Sequence, residues 1–173
     1  MASAGWPTLS ELRATNFQYF TVLADYLRTI RPKAESALEQ LAGDVKSPGG
    51  VEWEGAAGEA AIEQAAADLV RARPVLWSWH DVAAAAPRWQ DTLEAGKQLA
   101  LDAVGDAHRD GFEVGDDYSV ADTRECATEA EYEARLKAAK AHFSFIRHRV
   151  GTLVGNERDI NTKLQAMTAE WGS

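Results

Sequence analysis

Pro48-Gly49-Gly50-Val51-Glu52-Trp53-Glu54-Gly55-Ala56-Ala57-Gly58-Glu59-Ala60-Ala61 is the stretch whose reading decides the fold. Proline lacks an amide donor and glycine gives up backbone restraint, so Pro48, Gly49 and Gly50 stop one helix; the alanine-rich run that follows starts another. A corner of this kind between two long helical patterns makes a helical hairpin. Trp53 is the one large aromatic group in the corner. A tryptophan placed there can fill the notch at the hairpin's end, while Gly55 and the neighbouring alanines let the second backbone pass close to the first. Close packing at a helix-helix corner accounts for these residues as well as any functional signal does.

Upstream, Thr8 and Glu11 form a capping box that opens the first helix. Leu9, Leu12, Asn16, Tyr19, Leu23, Tyr26 and Ile30 then recur at spacings of three and four, an a/d seam widened by Phe17, Phe20 and Leu27. After Pro32 the pattern resumes at Ala34, Leu38, Leu41 and Val45, one residue out of phase, which predicts a bend or break near Arg31-Pro32.

Downstream, the second helical pattern covers about Ala57 to His108, with small residues where the first carries large ones: Ile62, Ala66, Leu69, Leu76 and Ala83. Pro74 and Pro87 interrupt it. The segment between them holds Trp77 and Trp79, with Trp89 just beyond, either as the thick part of the core or as an exposed partner-binding patch, with the core favoured. A further stripe of Leu93, Ala100, Val104 and Ala107 carries the helix to Asp110-Gly111.

At Gly111 the period changes to two. Phe112-Glu113-Val114 and Tyr118-Ser119-Val120 alternate around Gly115-Asp116-Asp117, the pattern of a small β-hairpin near 112–120 that must lean on the helices. Asp122-Thr123-Arg124-Glu125 reads as a second capping box, with Asp122 as the cap. From there Tyr132, Leu136, Ala139, Phe143, Ile146, Val150, Leu153, Ile160, Leu164, Met167 and Trp171 hold one register, which predicts a single helix from about Thr123 to Ala169, unbroken at Gly155. Such a helix measures on the order of 70 Å. Its far half, still in phase at Trp171, is expected to pack on something outside residues 1–122, so Phe143, Ile146, Val150, Leu153, Ile160, Leu164, Met167 and Trp171 form the expected partner interface. The whole reads as one all-α domain over 1–173: a hairpin over 8–108, a β-hairpin connection over 111–121 and a long helix over 123–171, an elongated helical bundle.

The composition is that of an ordinary globular domain, with 46% apolar and 26% charged residues among 173. A net charge of −9 disfavours nucleic acid and anionic membrane surfaces as partners. The acid is concentrated upstream: residues 123–173 hold eight Lys/Arg and seven Asp/Glu, the rest ten and twenty. Cys126 is the single cysteine, so no intrachain disulfide or thiolate cluster can form, and it is expected to be a small core residue. The start of the chain has no basic segment or apolar run of signal-peptide length, and the longest apolar stretch, Val82 to Pro87, is too short to cross a bilayer.

No Glu-X-X-His pair, phosphate loop, nucleophile elbow or dinucleotide fingerprint occurs. His142 and His148 fall on different faces of a helix, and His80-Asp81 beside the tryptophans is the one candidate dyad, more economically read as a hydrogen-bonded core histidine. Catalysis, a bound metal and a cofactor are therefore not expected.

The corner Trp53-Glu54-Gly55, about fifty residues in, between one helical pattern and an alanine-rich second, resembles the Trp-X-Gly corner of the WXG family, the helical-hairpin substrates of type VII (ESX) secretion in actinobacteria. Tyr118-Ser119-Val120-Ala121-Asp122 is similar to that family's Tyr-X-X-X-Asp/Glu secretion signal. It departs from the usual arrangement in its distance from Trp53 and in lying on a β-hairpin. The resemblance, over about residues 8–125, implies a non-catalytic targeting module at the N-terminus of a larger effector or toxin. Trp53 and Gly55 would shape one end of a recognition surface and Tyr118 and Asp122 the other, read by the type VII ATPase, with a small WXG-like partner chain or a second copy completing a bundle. It further implies export to the cell envelope or beyond after a cytoplasmic stage. The alternative is a cytoplasmic helical adaptor or chaperone that binds a partner through the C-terminal stripe.

Overall fold

The computed structural model describes the chain except for residues 1–4, 52–54, 170 and 172–173. It is a predominantly helical protein with a long hairpin-like pair of helices, a long C-terminal helix and a small antiparallel sheet. In chain order these are α1 (Leu9–Ala14), α2 (Tyr19–Lys46), a 3-10 turn (Pro48–Gly50), α3 (Ala56–Arg109), β1 (Phe112–Val114), β2 (Val120–Asp122) and α4 (Glu129–Thr168). The Cα traces cluster into two compact units, Met1–Phe17 with Trp89–Asn161 and Gln18–Arg88 with Thr162–Ser173.

In the first unit α1 is a helix of six residues, too short to persist alone. Both of its ends are held. Thr8 and Glu11 form the expected capping box, and at the other end the Lys97 ammonium donates to the carbonyls of Arg13 and Thr15, at 3.3 and 2.5 Å. Leu9, Leu12 and Phe17 are buried here, together with Leu93, Ala100, Ala103, Val104, Ala107, Phe112, Ile146, Val150, Leu153 and Ile160. α3 and α4 approach closely at Gly96, where an added Cβ would stand 3.1 Å from Leu153 Cδ1.

In the second unit α2 runs through Pro32 without a break, although a bend or break was expected there. The helical pattern is interrupted earlier, between the end of α1 at Ala14 and the start of α2 at Tyr19. The buried face of α2 is Phe20, Ala24 and Leu27, while Tyr26 is 60% and Tyr19 50% exposed. That face continues in step through the half-buried Arg31, Ala34 and Leu38, so the buried seam keeps one phase across Pro32. A proline inside a helix forfeits one hydrogen bond, and here the continuous seam outweighs that loss. Pro74 and Pro87 are likewise internal to α3, which they were expected to interrupt. Arg28 donates to the Ala83 carbonyl at 3.0 Å, tying α2 to α3. Trp77 is 62% exposed, against the core reading, while Trp79 is half-buried. The indole N–H of Trp171 donates to Ser78 Oγ at 2.6 Å, and its ring meets Trp79 edge-on at 6.2 Å.

No helix among the described residues is long and apolar enough to cross a membrane.

Candidate functional site

The β-hairpin pairs Phe112 with Asp122, Glu113 with Ala121 and Val114 with Val120. The loop between the strands is therefore Gly115–Ser119, longer than the three-residue turn expected, and Tyr118 belongs to the loop. Its closure bonds run from Gly115 N to Ser119 O at 2.8 Å and from Tyr118 N to Gly115 O at 2.9 Å. Tyr118 has φ +64°, a left-handed conformation that is unusual for a bulky residue and costs about 1 kcal/mol or more. Burial offsets that strain. The side chain is 1% exposed, and its hydroxyl donates to the Pro7 carbonyl at 2.9 Å. Burial, then the nearby carboxylates of Asp116 and Glu11, push the phenol up to about 12.

The same loop seats α1. Asp116 accepts from Leu9 N through its carbonyl at 2.9 Å and from Ser10 N through its carboxylate at 2.7 Å. Hydrogen bonds from Ser10 lower the Asp116 carboxyl below its usual range. Asp117 turns inward on the loop, accepting from Ser119 N at 3.1 Å, and hydrogen bonding with Ser119 brings its carboxyl down to about 2. Tyr118 and Asp116 together fasten the hairpin to the segment Pro7–Ser10.

Asp122 does not cap α4, as the capping reading required. It ends β2, and its carboxylate accepts from Arg135 Nε at 2.8 Å and Nη2 at 2.5 Å, and from Arg124 N at 3.1 Å. The Arg135 guanidinium holds the Asp122 carboxyl at about 2. Arg135 also donates to the carbonyls of Asp110 and Gly111 at 2.8 and 3.0 Å and stacks 3.8 Å from the Phe112 ring centroid. Every arm of this guanidinium is used, and it pins the base of the hairpin to α4. The helix itself starts later than expected, at Glu129, with Thr128 and Glu131 as its capping box. Nearby, His142 Nε2 meets Asp110 Oδ2 at 2.8 Å.

Trp53 lies outside the described residues. Gly55 is exposed, has φ +97° and has no heavy atom within 4 Å of where a Cβ would stand. Its glycine character serves the backbone turn into α3, whose first bond runs from Glu59 N to Gly55 O at 3.1 Å, instead of the close helix approach expected of it. Tyr118 and Asp122 sit on one hairpin in the first unit; Gly55 belongs to the second.

The expected partner interface divides. Ile146, Val150, Leu153 and Ile160 are buried within the chain itself, so they are core residues and not a free docking face. Leu164, Met167 and Trp171 are half-buried, and Trp171 is engaged by Ser78 and Trp79. Phe143 is exposed at 38%, in line along α4 with exposed Tyr132 and Leu136. The register reading had the stripe continuous, but the buried line shifts face near Phe143, running back through the half-buried His142, Ala139 and Arg135.

The residues that sequence reasoning missed are Pro7, Lys97, Asp116 and Arg135. Each acts through a partner many positions away, 111 residues for Pro7 and Tyr118, and no local pattern signals it. Cys126, expected in the core, is half-buried in the segment before α4 and lines an open recess of about 590 Å3 with Asp122, Arg124, Thr128 and Tyr132. No group of three metal-ligating side chains is present among the described residues.

No protein-family model and no solved structure matches the chain. It is similar to proteins described only as uncharacterized from Mycobacterium bovis and Mycobacterium tuberculosis, each 30% identical over 166 residues that cover 96% of this chain and 50% of the relative. The chain thus spans about half the length of the relatives it matches.

Proposed function

We propose that the chain is a non-catalytic helical interaction module that targets a longer protein for type VII secretion, as its resemblance to the WXG family implies. The observation that carries this reading is the outer part of the α2–α3 hairpin. Between Arg28 and Val75 the only buried described residue is Gly58, and Leu41, Val51 and Val70 stand exposed. A pair of helices that buries so little of itself is a surface suited to a helical partner. The mycobacterial origin and double length of the relatives accord with a module that accompanies a further segment.

The signal is revised in its location. Tyr118 and Asp122 are consumed by the hairpin's own bonds to Pro7 and Arg135, so the recognition features we assign to a secretion ATPase are Trp53, on the sequence alone, with Gly55 and the exposed hairpin arm. The partner face on α4 reduces to Tyr132, Leu136 and Phe143.

The test is export from an actinobacterial host with and without its type VII ATPase, comparing lysate with culture filtrate. Parent protein is expected in the filtrate only when the ATPase is present, and Trp53→Ala, with an unchanged circular dichroism spectrum, is expected to remain in the lysate. Tyr118→Phe, which keeps the buried ring, is expected to be exported. A parent retained in the lysate when its neighbouring genes are co-expressed refutes targeting and leaves a cytoplasmic adaptor.

A further inference from the structure

The second unit holds an arginine whose bonding contrasts with that of Arg135. Arg31 lines a pocket of about 220 Å3 between α2 and α3 with Leu27, Pro32, Trp79, His80 and Ala83. Its Nε is sealed from solvent with no hydrogen-bond partner, and so is the indole Nε1 of Trp79, another residue of the lining. Its other contacts are long: Nη1 stands 3.3 Å from His80 Nδ1 and Nη2 3.5 Å from Glu35 Oε1, with the Trp77 ring centroid 5.9 Å away. These lie at the outer edge of useful geometry, whereas Arg135 makes its bonds at 2.5–3.0 Å. Buried donors are nearly always paired in folded proteins, so two orphans on residues that line one pocket call for an acceptor the chain does not supply.

The chemistry of that acceptor follows from the donors. Guanidinium and indole N–H groups only donate. Because Arg31 cannot accept, His80 Nδ1 is the acceptor in their contact, which leaves Nε2–H as a further donor beside the pocket. Arg28 adds positive charge but is committed to Asp25 and the Ala83 carbonyl. Glu35 is the one acid in the lining, and its 3.5 Å contact is the weakest of the set. The remaining walls, Leu27, Pro32, Ala83 and the Trp79 ring, are apolar.

We propose that this pocket binds a small oxyanion carried on a short apolar stem, the carboxylate of a small organic acid, which accepts from Arg31 and from the Trp79 indole and displaces Glu35. The Arg31 head, weakly held, rotates to admit it, and the stem lies against Leu27, Pro32 and Ala83. This inference is independent of the targeting reading: Arg31, Pro32 and Glu35 lie at the start of the hairpin arm, but the pocket's donors act on a small anion and export plays no part in it.

The experiment is an NMR titration of the full chain with sodium butyrate and, separately, inorganic phosphate, at ionic strength held constant with chloride. The Trp79 indole and Arg31 Nε signals report directly on the two orphan donors. Saturable shifts of both with butyrate are expected. Arg31→Lys, which keeps the charge and loses the planar fork, is expected to weaken binding roughly tenfold. Trp79→Phe is expected to weaken it less, read at Arg31 Nε. Saturation by phosphate as well as butyrate supports the oxyanion and shows that the stem is dispensable. Shifts that stay linear with both anions in the parent protein overturn the proposal, whatever the variants do. So does butyrate binding that is unchanged in a folded Arg31→Lys variant.

Discussion

The two units of this chain solve the same problem with different means. In the first, α1, the C-terminal part of α3, the β-hairpin and most of α4 meet, and side chains from all of them are buried: Leu12, Leu93, Val104, Phe112, Tyr118, Ile146 and Val150 among others. In the second, the buried residues among those described are Phe20, Ala24 and Leu27 of α2 and Gly58, Leu76, Val82, Ala83 and Ala86 of α3. Beyond them two helices run on with half-buried seams only. A pair of helices can cover one stripe of each, whereas a third and fourth element close off the remaining faces. The polar contacts differ in the same sense. Arg135, Lys97 and Asp116 bridge distant segments of the first unit at 2.5–3.3 Å, while the ion pairs of the second, such as Arg28 with Asp25 and Arg71 with Asp68, are local helix-surface contacts worth little.

The largest effect that would test this contrast is core truncation. Ile146→Ala in the first unit is expected to cost about 2–5 kcal/mol by urea denaturation, against less than about 1 kcal/mol for Leu38→Ala on the half-buried seam. Equal losses would show the hairpin arm to be as tightly packed as the core. A smaller effect is set by the Tyr118 hydroxyl. Tyr118→Phe strips the Pro7 carbonyl of its donor and is expected to cost about 1–2 kcal/mol.

Titration sharpens the comparison further, through two groups of the first unit. Tyr118 ionises at about 12 when folded and near 10 when unfolded, so the folded state holds its proton longer and stability is expected to fall as pH rises from about 10 to about 12. The parent protein, but not Tyr118→Phe, should show this part of the alkaline loss. Asp122 runs the other way. With its carboxyl at about 2 against an ordinary 3.8, its contribution is complete above about pH 4 and is lost as pH falls towards 2. Asp122→Asn is expected to flatten the acid limb of thermal unfolding, and an unchanged limb would locate acid sensitivity elsewhere. The smallest effect is at the corner: Gly55→Ala, forced to φ +97°, is expected to cost about 1 kcal/mol with no clash, measured as a shift of the urea midpoint.

What the sequence by itself determined is the set of elements whose cause is local. Helical periodicity marked α3 and α4, including the unbroken passage through Gly155; the Thr8–Glu11 box marked the start of α1; and the change of period at Gly111 marked the small sheet. The stripe Leu93, Ala100, Val104 and Ala107 is core as its spacing implied. Only the tertiary structure decided which neighbouring stripe faces inward. Tyr19 and Tyr26 and the buried Phe20, Ala24 and Leu27 lie one position apart, and apolar character alone does not separate them. The site residues were legible as residues but not in their roles. Asp122 is suited to cap a helix by its local sequence, yet Arg135 outcompetes that role with a bidentate bond from thirteen positions on. Tyr118 reads as a strand residue of a small hairpin, and only the fold brings its hydroxyl to the Pro7 carbonyl. Local patterns report forces between neighbours, whereas long-range hydrogen bonds and burial depend on which segments the fold brings together, and that information resides in the assembled chain.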